Sequence, residues 1–270
     1  MDESHRFFSA EPDAADQQLL EQISAMDPWF YPVDIGGVSV VPGVGSVHSS
    51  YELTRRTEYR EHLIVDAALE RYDFNGKSML DLGGNISYWP SRFVAHGLTS
   101  LTAMEGRPEV VEQARLYWSR NHFLAESNVH LMAGDVLAES GWKTLAGRGP
   151  FDCTLCAGLL YHLPEYECLL QRIASLTRDL ILVDTRVVLG PEQTAAQKMD
   201  RKFNALEHVA NKKKPNLIRL MQTLGNLGFR PELILPKQQW PQDMPPQDNY
   251  SDGNRVTIIA RRENQTAFGT

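Results

Sequence analysis

Four short stretches hold the residues whose types and spacing suit chemistry. Asp81, Gly83, Gly84 and Asn85 end the run MLDLGGN, and Glu105 and Gly106 end LTAMEG. Asp135 and Val136 follow VHLMAG, and Cys156, Ala157 and Gly158 end FDCTLCAG, with Tyr161 and His162 just beyond. Each stretch is an apolar run closed by a glycine or an acid. Carboxylates there suit the hydroxyl and amine groups of a nucleoside, and glycine lets backbone approach a ligand. Glu105 falls about 20 residues after the glycine turn, the spacing of a ribose-binding carboxylate. A strand-end acid taken alone is more often a helix cap or a solvated turn. A glycine turn, an acid and a Gly-Asp after successive strands together point to a ligand.

The glycine turn narrows the ligand. A dinucleotide fingerprint needs G-x-G-x-x-G, so that a pyrophosphate can approach and the helix can pack tightly. Counting from Gly83, Asn85 replaces the second glycine and Tyr88 the third, and the lysine of a phosphate-cradling loop is absent. A nucleoside whose tail is an amino acid asks less of the loop. Asn enters left-handed backbone space more readily than other non-glycine residues, so the turn can still bend at Asn85.

These positions need an alternating scaffold. SMLDL, LTAME, VHLMA, FDCTLCA and DLILVD are strand-length apolar runs, separated by helical segments such as Pro108–His122 and Pro164–Thr177. Such alternation predicts βαβ units and a doubly wound, mostly parallel sheet, with ligands at the strand C-termini. Before it, Asp13–Met26 and Tyr51–Tyr72 have helical periodicity around a Gly-, Pro- and aromatic-rich connector. After it, Pro191–Val209 reads as a polar helical insertion, Asn216–Leu227 as a helix stopped at Gly228, and PELIL and RVTIIARR as closing strands. KQQWPQDMPPQDNYSDGN between those strands reads as an exposed loop. The predicted organisation is an N-terminal helical lid and substrate-access segment, residues 1–75, and a ligand-binding core, 76–270, with an insertion at 190–215.

Composition bounds the partners. The net charge of −7 argues against a general polyanion binder. Lys212–Lys214 is a local basic run that reads first as a solvated face and second as a phosphate contact. Cys153 and Cys156 form a C-x-x-C, but in an apolar strand with no second ligand pair they read as core. His48 and His208 belong to no metal-ligand spacing, and no metal is expected. A polar, acidic N-terminus and the lack of a long apolar run predict a cytoplasmic protein with no membrane span.

Ser78 to Asp184 resembles the core of class I S-adenosylmethionine-dependent methyltransferases. LDLGGNIS is similar to their first motif, D-x-G-x-G-x-G, with Asn85 and Ser87 in place of its later glycines. WFYPVDIGGVSVVPG, FDCTLCAGLLYHLPE and KPNLIRLMQTLGNLGF resemble a branch that includes tRNA wobble-uridine modifying methyltransferases and many small-molecule methyltransferases. That resemblance spans Trp29 to Arg262. It implies a seven-stranded Rossmann-like sheet with a reversed last strand, formed by RVTIIARR, and S-adenosyl-L-methionine as cofactor. It also implies that Gly83, Gly84, Asn85 and Tyr88 border the methionine part, and that Asp81 orients the loop or the ammonium. Glu105 and Gly106 would serve the ribose, Asp135 and Val136 the adenine edge, and Cys156 to Gly158 the methionine side. Tyr161 and His162 stand where the methyl group should emerge, and His162 has the titration range of a general base or the structural role of a packed histidine. The expected reaction is methyl transfer to an oxygen or nitrogen of a small molecule. A tRNA methyl or carboxymethyl transferase is the second reading, and a non-catalytic cofactor-binding protein the third.

Overall fold

The structure is a computed structural model that describes residues 6–8, 14–43, 49–192, 194–196, 211–236, 250 and 252–263. His48, His208 and most of the KQQWPQDMPPQDNYSDGN stretch lie outside the described residues. In the N-terminal part, β1 (Arg6–Phe8), helix α1 (Ala14–Ala25), β2 (Val33–Ile35) and β3 (Val38–Val40) come first, the strands pairing in the order β1-β3-β2. Helix α2 (Ser50–Glu61) starts at a capping box, in which Ser49 and Glu52 satisfy each other's backbone N–H groups. It runs through a π turn, His62–Asp66, into α3 (Ala67–Leu69).

The core then alternates: β4 (Ser78–Leu82), α4 (Tyr88–Val94), β5 (Ser100–Glu105), α5 (Pro108–Asn121), β6 (Val129–Ala133), α6 (Glu139–Ala146), β7 (Phe151–Ala157), α7 (Tyr166–Leu176) and β8 (Thr177–Arg186). After β8 come β9 (Thr194–Ala196), β10 (Asn211–Lys213), α8 (Leu217–Asn226), β11 (Phe229–Ile234) and β12 (Arg255–Arg262). Seven strands form one sheet in the order β11-β12-β8-β7-β4-β5-β6. β12 is antiparallel to both neighbours, and the other pairings, β8-β7-β4-β5-β6, are parallel. The expected doubly wound sheet with a reversed last strand is therefore present.

Both faces of the sheet are covered, as a parallel sheet requires. Strand alternation sends Met79 to one core with Leu19, Ile23, Trp29 and Trp89, and Leu80 and Leu82 to the other with Leu170 and Leu220. Residues of the N-terminal segment thus share a core with the sheet. Cys153 and Cys156 are both buried and go to opposite cores. Burial pushes the Cys153 thiol up to about 12, so it stays protonated and unreactive at neutral pH.

The 190–215 region corrects one expectation. Thr194–Ala196 is not helical but a strand that pairs antiparallel with Asn211–Lys213. Residues 197–210 lie outside the described residues. No helix among the described residues is long and apolar enough to cross a membrane.

Candidate functional site

The chain moves outward from β4 to β5 and β6, then returns to the other side of β4 to form β7. The crevice of a doubly wound sheet opens at that reversal, beyond the strand C-termini. There the glycine turn bends through three left-handed residues, Gly83 (φ +63°), Asn85 (φ +59°) and Ser87 (φ +55°). Asn85 was expected to bend this way; the left-handed Ser87 was not. A side chain is impossible at Gly84, because a Cβ there would lie 1.8 Å from Asp81 Oδ2. The Asp81 carboxylate therefore sits directly against the turn backbone.

Asp81 is fully buried, and neither carboxylate oxygen has a formed hydrogen bond among the described residues. Burial pushes its pKa up to about 7; the nearby Ser87 hydroxyl opposes the rise and the Glu105 charge adds to it. Among the described residues, two more buried donors nearby, Trp89 Nε1 and Arg60 Nε, have no partner at hydrogen-bond distance, with Trp89 set beside the Tyr31 hydroxyl. Arg60 lies over the Trp89 ring at 5.3 Å. Tyr31 ties the group together: it stacks on Tyr88 at 4.6 Å, meets Trp89 edge-on, and is close enough to Arg60 and Asp81 to feel both charges. Buried polar atoms without partners are rare in folded proteins, and a group of them points to a polar ligand.

Glu105 ends β5 beside the turn. Its carboxylate accepts from Asn85 N at 3.1 Å, from Arg107 N at 3.2 Å, and from Arg107 Nε and Nη2 at 2.9 and 3.2 Å. Gly106 lies between the two partners. The two Glu105 oxygens already accept four bonds, so two further hydroxyls would have to compete with them. Farther along the sheet, Asp135 Oδ1 accepts from Leu137 N at 2.8 Å, and buried Val136 accepts from Trp142 Nε1.

On the other side of β4, buried Cys156 and Ala157 end β7, and Gly158 N donates to Asp184 O at 2.7 Å. Tyr161 and His162 follow in a short 3-10 turn, half-buried, with ring centroids 4.2 Å apart. Asp184 is fully buried and accepts from Arg60 Nη2 at 2.7 Å, Arg255 Nε at 2.9 Å, Thr257 Oγ1 at 3.0 Å, and the Tyr250 hydroxyl. No group of three His, Cys, Asp or Glu among the described residues is placed to hold a metal.

The residues singled out in the sequence thus gather at one end of the sheet. Tyr31, Arg60, Arg107, Arg186 and Arg255 gather there too and had no local signal. Lys213 in the basic run is bound to Glu192 at 2.6 Å and lies over the Tyr166 ring at 5.6 Å.

No protein-family model and no curated protein matches the chain. Among solved structures, the N-terminal domain of EvdMO1 in the presence of SAH and D-fucose is 20% identical, covers 93% of this chain and 98% of its own, and superposes with a TM-score of 0.66. Magnesium protoporphyrin IX methyltransferase (ChlM) from Synechocystis PCC 6803 with bound SAM is 13% identical over 79% of this chain and 83% of its own, with a TM-score of 0.54. The CurJ carbon methyltransferase is 12% identical over 80% and 56%, with a TM-score of 0.52. At these identities the likeness shows the fold: this chain has the Rossmann-like fold of methyltransferases.

Proposed function

We propose that the protein transfers a methyl group from S-adenosyl-L-methionine to an oxygen or nitrogen of a small-molecule acceptor. The observation that carries this reading is the buried Asp81 carboxylate without hydrogen bonds, set against Gly84 and grouped with Arg60 Nε and Trp89 Nε1. An α-amino-acid group brings one ammonium and one carboxylate. Asp81 would hold the first, and Arg60 with Trp89 the second, so the residues present fit the methionine end of that cofactor. Glu105 would take the ribose hydroxyls in exchange for Arg107, and Asp135 with Val136 the adenine edge.

When bound, the cofactor supplies an electrophilic methyl carbon. The protein's task is then to align the nucleophile and exclude water. The aromatic faces of Tyr31, Tyr88 and Trp89 close the turn side, and Tyr161 and His162 border the acceptor side. His162 would take the acceptor's proton as a general base. A small acceptor is favoured over a nucleic acid because the chain is net acidic and Lys213 is engaged with Glu192. Residues 1–75 would serve as the lid and access segment.

Titration calorimetry with S-adenosylhomocysteine tests the reading. Saturable binding, lost in Asp81→Asn, is expected; no binding at millimolar ligand overturns it. For His162, the Ala variant should lower kcat by roughly 10²–10⁴-fold at unchanged cofactor affinity if it is the base. An Asn variant that stays fully active would show that His162 only orients the acceptor.

A further inference from the structure

We infer that Asp184 is a positioning residue for the cofactor: it holds the Arg60 guanidinium off Asp81, leaving between the two a gap that takes the α-amino-acid group of the methionine end. The inference rests on the methyltransferase reading and deepens it. Met79 and Leu182 belong to one core, and Asp81 and Asp184 each lie two residues farther along their strands. Strand alternation therefore sends both carboxylates to the same face of the sheet. Asp81 is level with Leu155 of β7, and Asp184 with Ala157. Two strand spacings across and two residues along set the aspartates roughly 12 Å apart.

Asp184 is an anchor held at both oxygens. Arg255 Nε donates to Oδ1 at 2.9 Å, and the hydroxyls of Thr257 and Tyr250 donate to Oδ2. Thr257 stands directly opposite Asp184 in the β8-β12 register. Onto this fixed carboxylate α2 delivers Arg60, whose Nη2 donates to Oδ1 at 2.7 Å. An arginine side chain has several rotatable bonds, and a fully buried Asp81 on the same sheet face would attract it. That move is not made. No hydrogen bond or ion pair joins Arg60 to Asp81, and Arg60 does not draw the Asp81 carboxyl down, although the Glu105 charge pushes it up. The guanidinium instead lies over the Trp89 ring at 5.3 Å, with Nε buried and unbonded. The charges thus run Asp184, Arg60, gap, Asp81. An amino-acid carboxylate beside Arg60 and its ammonium beside Asp81 complete the alternation of sign with charge-assisted bonds. A direct Arg60–Asp81 pair would close the gap.

The test uses the full chain and three probes: S-adenosylhomocysteine, its decarboxylated analogue, which keeps the amine, and 5′-methylthioadenosine, which keeps neither charge. Affinities are read by calorimetry at constant ionic strength. Wild type should bind S-adenosylhomocysteine at least about tenfold more tightly than the decarboxylated analogue, a gap of one charge-assisted bond or more. Asp184→Asn should remove most of that gap by weakening S-adenosylhomocysteine alone. Its affinities for the other two probes should stay at the wild-type values, which also reports that the variant is folded. Arg60→Gln should reproduce the pattern. Asp81→Asn should instead remove the preference for the amine over 5′-methylthioadenosine. If Asp184→Asn does not fold, Tyr250→Phe loosens the anchor and should weaken S-adenosylhomocysteine selectively, by about threefold. Equal weakening of all three probes in Asp184→Asn, or in Tyr250→Phe where that variant decides, would make Asp184 a clamp only and overturn the inference. An unchanged gap, or a wild type that does not distinguish S-adenosylhomocysteine from its decarboxylated analogue, would overturn it as well while leaving the methyltransferase reading intact. A wild type that binds none of the three would overturn that reading and this inference with it.

Discussion

Asp81 and Asp184 are alike in position and opposite in state. Both are fully buried near the C-terminal ends of strands in one sheet, with β7 between their strands. Burial alone would raise both. At Asp184, Arg255, Arg60 and Tyr250 outweigh it and hold the carboxyl down at about 2. At Asp81 no cation plays that part among the described residues, the Ser87 hydroxyl opposes burial only partly, and the carboxyl sits at about 7. The difference shows where the fold is complete in itself. Asp184 is a clamp that fastens α2, through Arg60, to β8 and β12. Asp81 has no counter-charge among the described residues, an arrangement that costs stability and that the proposed cofactor ammonium would relieve.

The largest expected effect comes from removing the clamp. Asp184→Ala leaves Arg60 and Arg255 buried without their shared anion, and breaking a buried pair this way costs about 3–5 kcal/mol. Urea denaturation at pH 7 should show the loss. Because the folded-state pKa lies below the ordinary value, the Asp184 contribution is fully present above about pH 4 and disappears as pH falls through about 2. An Asp184→Ala protein as stable as wild type would dissolve the contrast.

Asp81 should behave in the opposite sense. Its folded-state pKa is raised, so its stabilising contribution is present below about pH 4 and lost as pH rises through about 7. The ceiling on that loss is about 4 kcal/mol. Asp81→Asn should therefore raise the unliganded protein's melting temperature at pH 8. The gain should fall short of the ceiling, because the amide buries donors of its own. The same change should weaken S-adenosylhomocysteine binding. In wild type, affinity should fall as pH is lowered below about 7, where the unliganded carboxyl takes up a proton. An Asn variant that melts lower than wild type at pH 8 would mean that Asp81 already has its partner.

Next in size is Glu105, an intermediate case whose partner Arg107 a ribose would have to displace under the proposed function. Glu105→Gln should lower S-adenosylhomocysteine affinity at least roughly tenfold, about 1.4 kcal/mol. Arg107→Met removes the competing fork and should leave affinity unchanged or tighter. Calorimetry on the pair separates ribose recognition from a purely internal ion pair, for which both changes would weaken binding alike.

The contrast between the two aspartates was half legible in the sequence. Asp81, Glu105 and Asp135 stand at or just beyond the ends of short apolar runs, and that local pattern marks strand ends. The reversed β12 followed from family resemblance. The partners that decide each carboxylate's state were not legible, because they come from far away in the chain. Arg60 and Asp184 are 124 residues apart, and Arg255 and Asp184 are 71 apart. Arg186 and Arg255 meet only through strand register. The same limit misled the reading of Thr194–Ala196: a polar local sequence suggested helix, and pairing with Asn211–Lys213 decided for strand.

The smallest expected effect concerns the turn that keeps Asp81 enclosed. Asn85 stands at φ +59° where the family pattern has glycine. Its Oδ1 accepts from Ile86 N at 2.9 Å, which offsets part of the left-handed cost, and its own N–H donates to Glu105 Oε2 at 3.1 Å. Asn85→Gly removes the steric cost but loses the side-chain bond and frees the unfolded chain, so these terms should nearly cancel, within about 1 kcal/mol. Asn85→Ala has no such compensation and should lose about 1–2 kcal/mol. If the turn relaxes in the Ala protein, the Asn85 N–H no longer holds Glu105, and S-adenosylhomocysteine affinity should fall along with the melting temperature. Equal melting temperatures for the two variants would show that the left-handed bend is not what shapes the turn. The enclosure of Asp81 would then rest on Gly84 alone, where a side chain has no room.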